Sequence, residues 1–157
     1  MLVAPDGVTR PWPARRAGWS ASGSAPGLLA LATLSAACSG TPQLAVAGQE
    51  ARLSPVLLGT CSIFMRIENV GNGDDSLLGA SVGIPGAVAE LHGVRDGKMV
   101  KQDRVRIPAR SAVALEPKGL HVMVFGLPRD AGPGFEFTLR LAFERTGEKV
   151  TSVRIAG

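Results

Sequence analysis

Both histidines of this chain, His92 and His121, fall in one pattern with two of the three methionines beyond the initiator: His92-x6-Met99-x21-His121-x-Met123. Imidazole nitrogen and thioether sulfur are neutral donors, and the sulfur is soft and polarizable. Together they suit Cu(I) and ill suit Mg²⁺ or Ca²⁺, which take hard oxygen ligands. His92, Met99, His121 and Met123 are therefore the candidate ligands of a copper(I) site. A lone histidine is more often a surface or hydrogen-bonded residue, and a lone methionine on a strand is more often core packing, as expected of Met65. What points to a metal is the joint use, in two pairs that each adjoin a turn.

These residues need a rigid frame, and the sequence supplies short strands. His121-Val122-Met123 reads as strand, so His121 and Met123, two apart, face one side while Val122 and Val124 face the other. His92 closes an apolar strand over 87–92, and Met99 opens the next over 99–107. The six residues between them, Gly93 to Lys98, read as a hairpin loop that brings His92 and Met99 together at one end of the sheet. Elsewhere, Phe137, Leu139, Leu141 and Phe143 alternate with more polar residues, the period-two mark of a half-buried strand over 136–143. A hairpin partner follows over 149–155. Further strands are expected over 62–68, 77–82, 112–115 and 121–126, separated by breakers such as Pro85-Gly86 and Pro117-Lys118-Gly119. About seven to nine short strands with no sustained helical period predict an all-β domain, a single antiparallel Greek-key β-sandwich or barrel.

The first part of the chain is not domain material. Residues 1–27 are rich in Pro, Gly, Ala and Ser, with Arg10, Arg15 and Arg16 against one acid, Asp6. An apolar run, Leu28 to Leu34, and small residues Ser35-Ala36-Ala37 lead into Cys38. A basic region, a short apolar core and small residues describe an export signal. The run is shorter than the roughly 20 apolar residues that span a bilayer. Small residues ahead of a cysteine resemble the lipobox of bacterial lipoproteins, which implies acylation of Cys38 and a membrane anchor. The expected organisation is a signal peptide over 1–37, an anchor tether over 38–50 and a β-sandwich domain over 51–157. With Cys38 acylated, Cys61 is expected to be a buried free thiol. With an ordinary cleaved signal and an incidental Cys38, a Cys38–Cys61 disulfide stays open in the oxidising export compartment.

Composition excludes other classes. Three of the 17 basic and one of the 13 acidic residues lie before Cys38, leaving a net charge of +2 from there on. No Lys/Arg cluster and no tyrosine are present, so no nucleic-acid partner is expected. A blue-copper centre needs a thiolate beside His and Met, and Cys61 is remote in sequence from both histidines. No enzyme is expected either: the chain lacks a Gly-x-Ser-x-Gly nucleophile motif, and Asp74-Asp75 reads as turn chemistry.

Ala89-Glu90-Leu91-His92, Gly97-Lys98-Met99, Ile107-Pro108-Ala109, the run Leu115 to Met123 and the strand Phe137 to Glu144 together resemble the periplasmic copper chaperones of the PCuAC type. The likeness covers roughly residues 50–155 and keeps the 21-residue spacing from Met99 to His121. It departs from the family in a shorter gap between His92 and Met99, and in Lys118 where the family tends to have glycine. The resemblance implies a cupredoxin-like fold, one Cu(I) held by His92, Met99, His121 and Met123, and delivery to the Cu_A subunit of cytochrome c oxidase or to a copper-transfer assembly protein. It also implies a location outside the cytoplasm, periplasmic or lipid-anchored on the outer face of the cell membrane. The alternative is a metal-free exported β-sandwich lipoprotein that serves as a binding module.

Overall fold

The computed structural model describes residues 40–157. The expected signal peptide and Cys38 lie outside the described residues. Every regular element in 40–157 is a strand: β1 (Leu44–Leu53), β2 (Thr60–Asn69), β3 (Asp75–Val82), β4 (Val88–Arg95), β5 (Lys98–Lys101), β6 (Val105–Ile107), β7 (Ser111–Leu115), β8 (His121–Phe125), β9 (Glu136–Phe143) and β10 (Gly147–Ile155). The hydrogen-bonded order is β5-β4-β8-β2-β1-β10-β9-β3-β6, and β7 continues the β8 side of β2. All pairs are antiparallel except β1 with β10, where Glu50 and Ala51 meet Arg154 and Ile155. Strands β3 and β4 pack together without sharing a ladder, as do β6 and β7, so the sheet curls back on itself. This is the all-β architecture that the alternation predicts, curled into a half-barrel, with one parallel pair where only antiparallel pairs are expected.

The core follows from that alternation. On β2, Cys61, Ile63, Met65 and Ile67 are buried, and on β9 so are Phe137, Leu139, Leu141 and Phe143. They meet Val122 and Val124 of β8 and Val153 and Ile155 of β10 in one cluster. Met65 is a core methionine, as expected.

Two boundaries differ from expectation. Residues 44–50, expected within the tether, are strand: β1 pairs with β2 from Leu44↔Asn69 onward. Its pattern is faint because Ala45, Ala47 and Gly48 are small, and Gly48, at φ 67°, sits in a bulge between Ala47 and Glu50. Neighbours on both sides, and not side-chain hydrophobicity, make this segment a strand. The single strand expected over 99–107 is two strands at opposite ends of the sheet order, broken at Gln102-Asp103-Arg104. All of β5 is exposed, whereas Val105 and Ile107 of β6 are buried.

Asp75 holds the far corner. Its carboxylate accepts from the backbone N–H groups of Ser76 (2.7 Å), Arg145 (2.9 Å) and Thr146 (2.9 Å) and from the Thr146 hydroxyl. Turn chemistry is thus its role, tying the start of β3 to the β9–β10 turn. Burial alone would raise its pKa, but the hydrogen bonds outweigh burial and hold the carboxyl below the usual carboxylate range. A folded pKa below the unfolded value of about 4 gives stabilisation that is complete above that value and lost as pH falls through the folded one. Asp75→Asn, which turns an amide toward the Thr146 N–H, is expected to cost about 2 kcal/mol in urea unfolding at neutral pH. The gap to wild type should close as pH drops below about 4; a gap that persists unchanged in acid would refute this role for the charge.

Candidate metal centre

Strand β8 lies between β2 and β4, and its register sets the site. Toward β4, His121 faces His92, Val122 faces Leu91 and Met123 faces Glu90; toward β2, Met123 faces Ser62. Val122 and Val124 are fully buried in the core. Alternation therefore puts His121 and Met123 on the opposite face with Glu90 and His92 of β4 and Ser62 and Phe64 of β2. His121 is 5% exposed and Met123 4%, yet neither belongs to the core cluster. They are buried in a second, outer layer.

Cross-strand pairing brings the imidazoles of His92 and His121 to a centroid separation of 5.9 Å at 71°. A metal bound at about 2 Å from each nitrogen sits about 3 Å from each ring centre, so this spacing fits one ion at an angle between tetrahedral and linear. Phe64 lies against His121 (6.3 Å) and Phe125 against His92 (6.2 Å), with the Arg52 guanidinium over Phe64 at 5.8 Å. These rings limit water at the imidazoles.

Hydrogen bonds orient both histidines. His121 Nδ1 is 3.1 Å from the Gly119 carbonyl oxygen, which only accepts, so Nδ1 donates and the lone pair of a neutral ring is on Nε2. His92 Nε2 is 3.1 Å from Glu90 Oε2, while His92 Nδ1 is buried without a partner among the described residues. A buried ring nitrogen left unpaired is uncommon. It is a donor atom with nothing of the protein to bind, and it sits on the face that carries His121 and Met123.

Met99 is placed differently from expectation. Strand β4 continues through Arg95, and the hairpin turn is only Asp96-Gly97, at φ 52° and 74°, the conformation that favours Asp-Gly in a two-residue turn. Met99 consequently pairs with Val94, and His92 pairs with Lys101. Met99 shares the face of His92 but lies about 7 Å further along the strand. It lines an open recess of about 500 Å³ with Phe64, Val94, Pro117, Lys118 and His121, and it is 59% exposed on the edge strand. Pairing thus brings His92 and His121 together, with Met123 two residues along β8 on the same face and Met99 at the rim.

Sequence reasoning passed over Glu90. Lys101 Nζ donates to its Oε1 at 2.6 Å, and the Lys101 and then the His92 hydrogen bonds hold its carboxyl below the usual range. The signal was legible: a lone acid in an apolar strand, two residues before His92. Among the described residues no three His, Cys, Asp or Glu side chains gather to hold a metal, so a site here draws on the methionines. Cys61 faces the core with no disulfide partner among the described residues, its thiol pushed up to about 11 by burial. It lies on the other side of β2 from the histidines, which removes a thiolate from the centre.

A family model described as "Putative lipoprotein LpqE-like" matches residues 44–155. No curated protein matches the chain. Among solved structures, the copper-bound PCuAC domain from PmoF2 is similar at a TM-score of 0.61 and 18% identity, covering 73% of this chain and 92% of that one. The apo PCuAC domain from PmoF1 gives 0.56 at 25% identity, covering 73% and 94%. Cu(I)-bound DR1885 from Deinococcus radiodurans gives 0.55 at 23%, covering 69% and 75%. The chain has the fold of PCuAC domains.

Lys118 occupies the left-handed region, at φ 65°, in the turn that offers the Gly119 carbonyl to His121. Such a conformation costs a non-glycine residue roughly 1–3 kcal/mol, against about 0.5–1 kcal/mol of chain entropy for a glycine. Lys118→Gly is expected to raise stability by about 1 kcal/mol, read as a higher urea midpoint at unchanged slope. A lower midpoint would show that Lys118 makes compensating contacts.

Proposed function

Because the chain belongs to the LpqE-like family, we propose that it is an exported lipoprotein, acylated at Cys38, that carries Cu(I) to the Cu_A site of cytochrome c oxidase or to a protein that assembles it. The carrying observation is the His92–His121 pair, 5.9 Å apart, with an unpartnered buried Nδ1 on one ring and a free Nε2 on the other. Met123 adds a buried thioether on the same face, and Met99 a mobile-stemmed one at the rim. Copper bound by the related PCuAC domain from PmoF2 and by DR1885 supports the choice of metal. The family's description as lipoproteins supports export and the anchor.

The donor set suits that task. Thioethers have no proton to lose and form no disulfides, so they survive outside the cytoplasm where a cysteine pair would oxidise. Neutral ligands leave the ion's charge uncompensated and favour the monovalent state. Transfer is ligand exchange: a donor from the recipient displaces Met99 first, because Met99 is exposed, and the imidazoles let go last. No general acid or base takes part, and the proposed role is that of a carrier and not an enzyme.

An anaerobic Cu(I) titration against a chromophoric chelator tests this. His121→Ala and Met123→Ala should each lower affinity by more than about tenfold, the loss seen when even indirect supports of a metal site are removed. Met99→Ala should weaken binding less. Equal binding by wild type and all variants, or none by wild type, would leave a metal-free binding module as the better account.

A further inference from the structure

Resting on that copper site, we infer that Glu90 is a positioning residue that makes His92 a ligand through Nδ1, so the two imidazoles offer the metal different nitrogens. Glu90 and His92 share one face of β4, and Lys101 stands directly across from His92 on β5. The Glu90 carboxylate is gripped from both sides, by Lys101 Nζ at 2.6 Å on Oε1 and by the His92 ring at 3.1 Å on Oε2. A carboxylate paired with an ammonium only accepts, so the hydrogen between Glu90 and His92 belongs to Nε2. The lone pair of the neutral ring then falls on Nδ1, the buried atom without a partner. His121 is set the opposite way: the Gly119 carbonyl holds its Nδ1–H at 3.1 Å and leaves Nε2 free.

The two tautomers have a geometric consequence. Nδ1 is bonded to the ring carbon that carries the side chain, whereas Nε2 is at the far edge. An ion on His92 Nδ1 therefore sits low, close to the β4 backbone, while His121 reaches over with its outer nitrogen. That places the ion at the β4–β8 seam, where Met123 faces Glu90 across the same ladder. Without Glu90, the His92 ring loses the contact that fixes its rotation and reserves Nε2. The outer nitrogen then competes with Nδ1 for copper.

Histidine-labelled ¹⁵N spectra of the full-length protein test this in the apo and Cu(I)-loaded states. In the apo protein, His92 should be protonated on Nε2 and His121 on Nδ1. On loading with Cu(I), His92 Nδ1 and His121 Nε2 should shift. Glu90→Ala should lower Cu(I) affinity about 10–100-fold and broaden the His92 signals, while Glu90→Gln, whose side-chain oxygen still accepts from Nε2, should recover most of the loss. Unfolding midpoints of both variants separate this from a stability effect. A copper-induced shift at His92 Nε2, apo protonation of His92 Nδ1, or equal affinity in Glu90→Ala would overturn the inference while leaving a copper site intact. Absence of Cu(I) binding by wild type would overturn the copper site itself, and with it the ligand assignment, even if the apo tautomers are as stated.

Discussion

The position of β8 in the sheet is the constraint on which the rest depends. Val122 and Val124 leave no accessible surface, and each is packed into the cluster that β2, β9 and β10 share. A slip of one residue would turn both valines outward and drive an imidazole and a thioether into that core. Hydrophobic burial on one face thereby fixes the register on the other. His121 is held opposite His92, and Met123 opposite Glu90, by residues that never touch the site. The chemistry is positioned by packing that is indifferent to it.

Strands β2, β4 and β8 pack side chains on both faces, with His121 and Met123 buried and His92, Phe64 and Phe125 half-buried on the outer one. The inner layer is wholly apolar, and the outer one mixes imidazoles, a thioether and two phenyl rings. Burying polar nitrogen is unfavourable unless each atom is paired. Three of the four imidazole nitrogens escape that cost: His121 Nδ1 through Gly119, His92 Nε2 through Glu90, and His121 Nε2 through the open recess it lines. The fourth, His92 Nδ1, does not. An apo protein that carries this unpaired atom stands to gain more from a soft cation than one whose nitrogens are all satisfied.

Much of this was legible in the chain. Period-two alternation identifies most of the strands, and the spacing of His121 and Met123 by itself puts them on one face. His92 followed from its place at the end of an apolar strand. The misreadings have physical causes. Asp96-Gly97 is a sufficient turn by itself, so β4 runs three residues past His92 and carries Met99 away from it. Segment 44–50 is a strand by virtue of its neighbours, which its small side chains do not announce. Glu90 lies two residues from His92, but a single acid in a strand ordinarily faces water and does not announce a role. Its partner Lys101 is distant enough in sequence that only the hairpin register reveals the pair.

The placement of Met99 also bears on how a carrier can bind tightly and still release. Donors fixed on central strands β4 and β8 have little freedom, since each is flanked by ladders on both sides. Edge strand β5 has one partner, is exposed along its length and ends in a polar break at Gln102. Local opening of such an element costs less than opening of the core strands. In the proposed site, a ligand set divided this way would be rigid where specificity for a soft ion is decided and yielding where a recipient must gain access. The short gap between His92 and Met99 is then no defect in the motif. It is the sequence expression of a tight hairpin whose far strand carries Met99 on an exposed edge of the sheet.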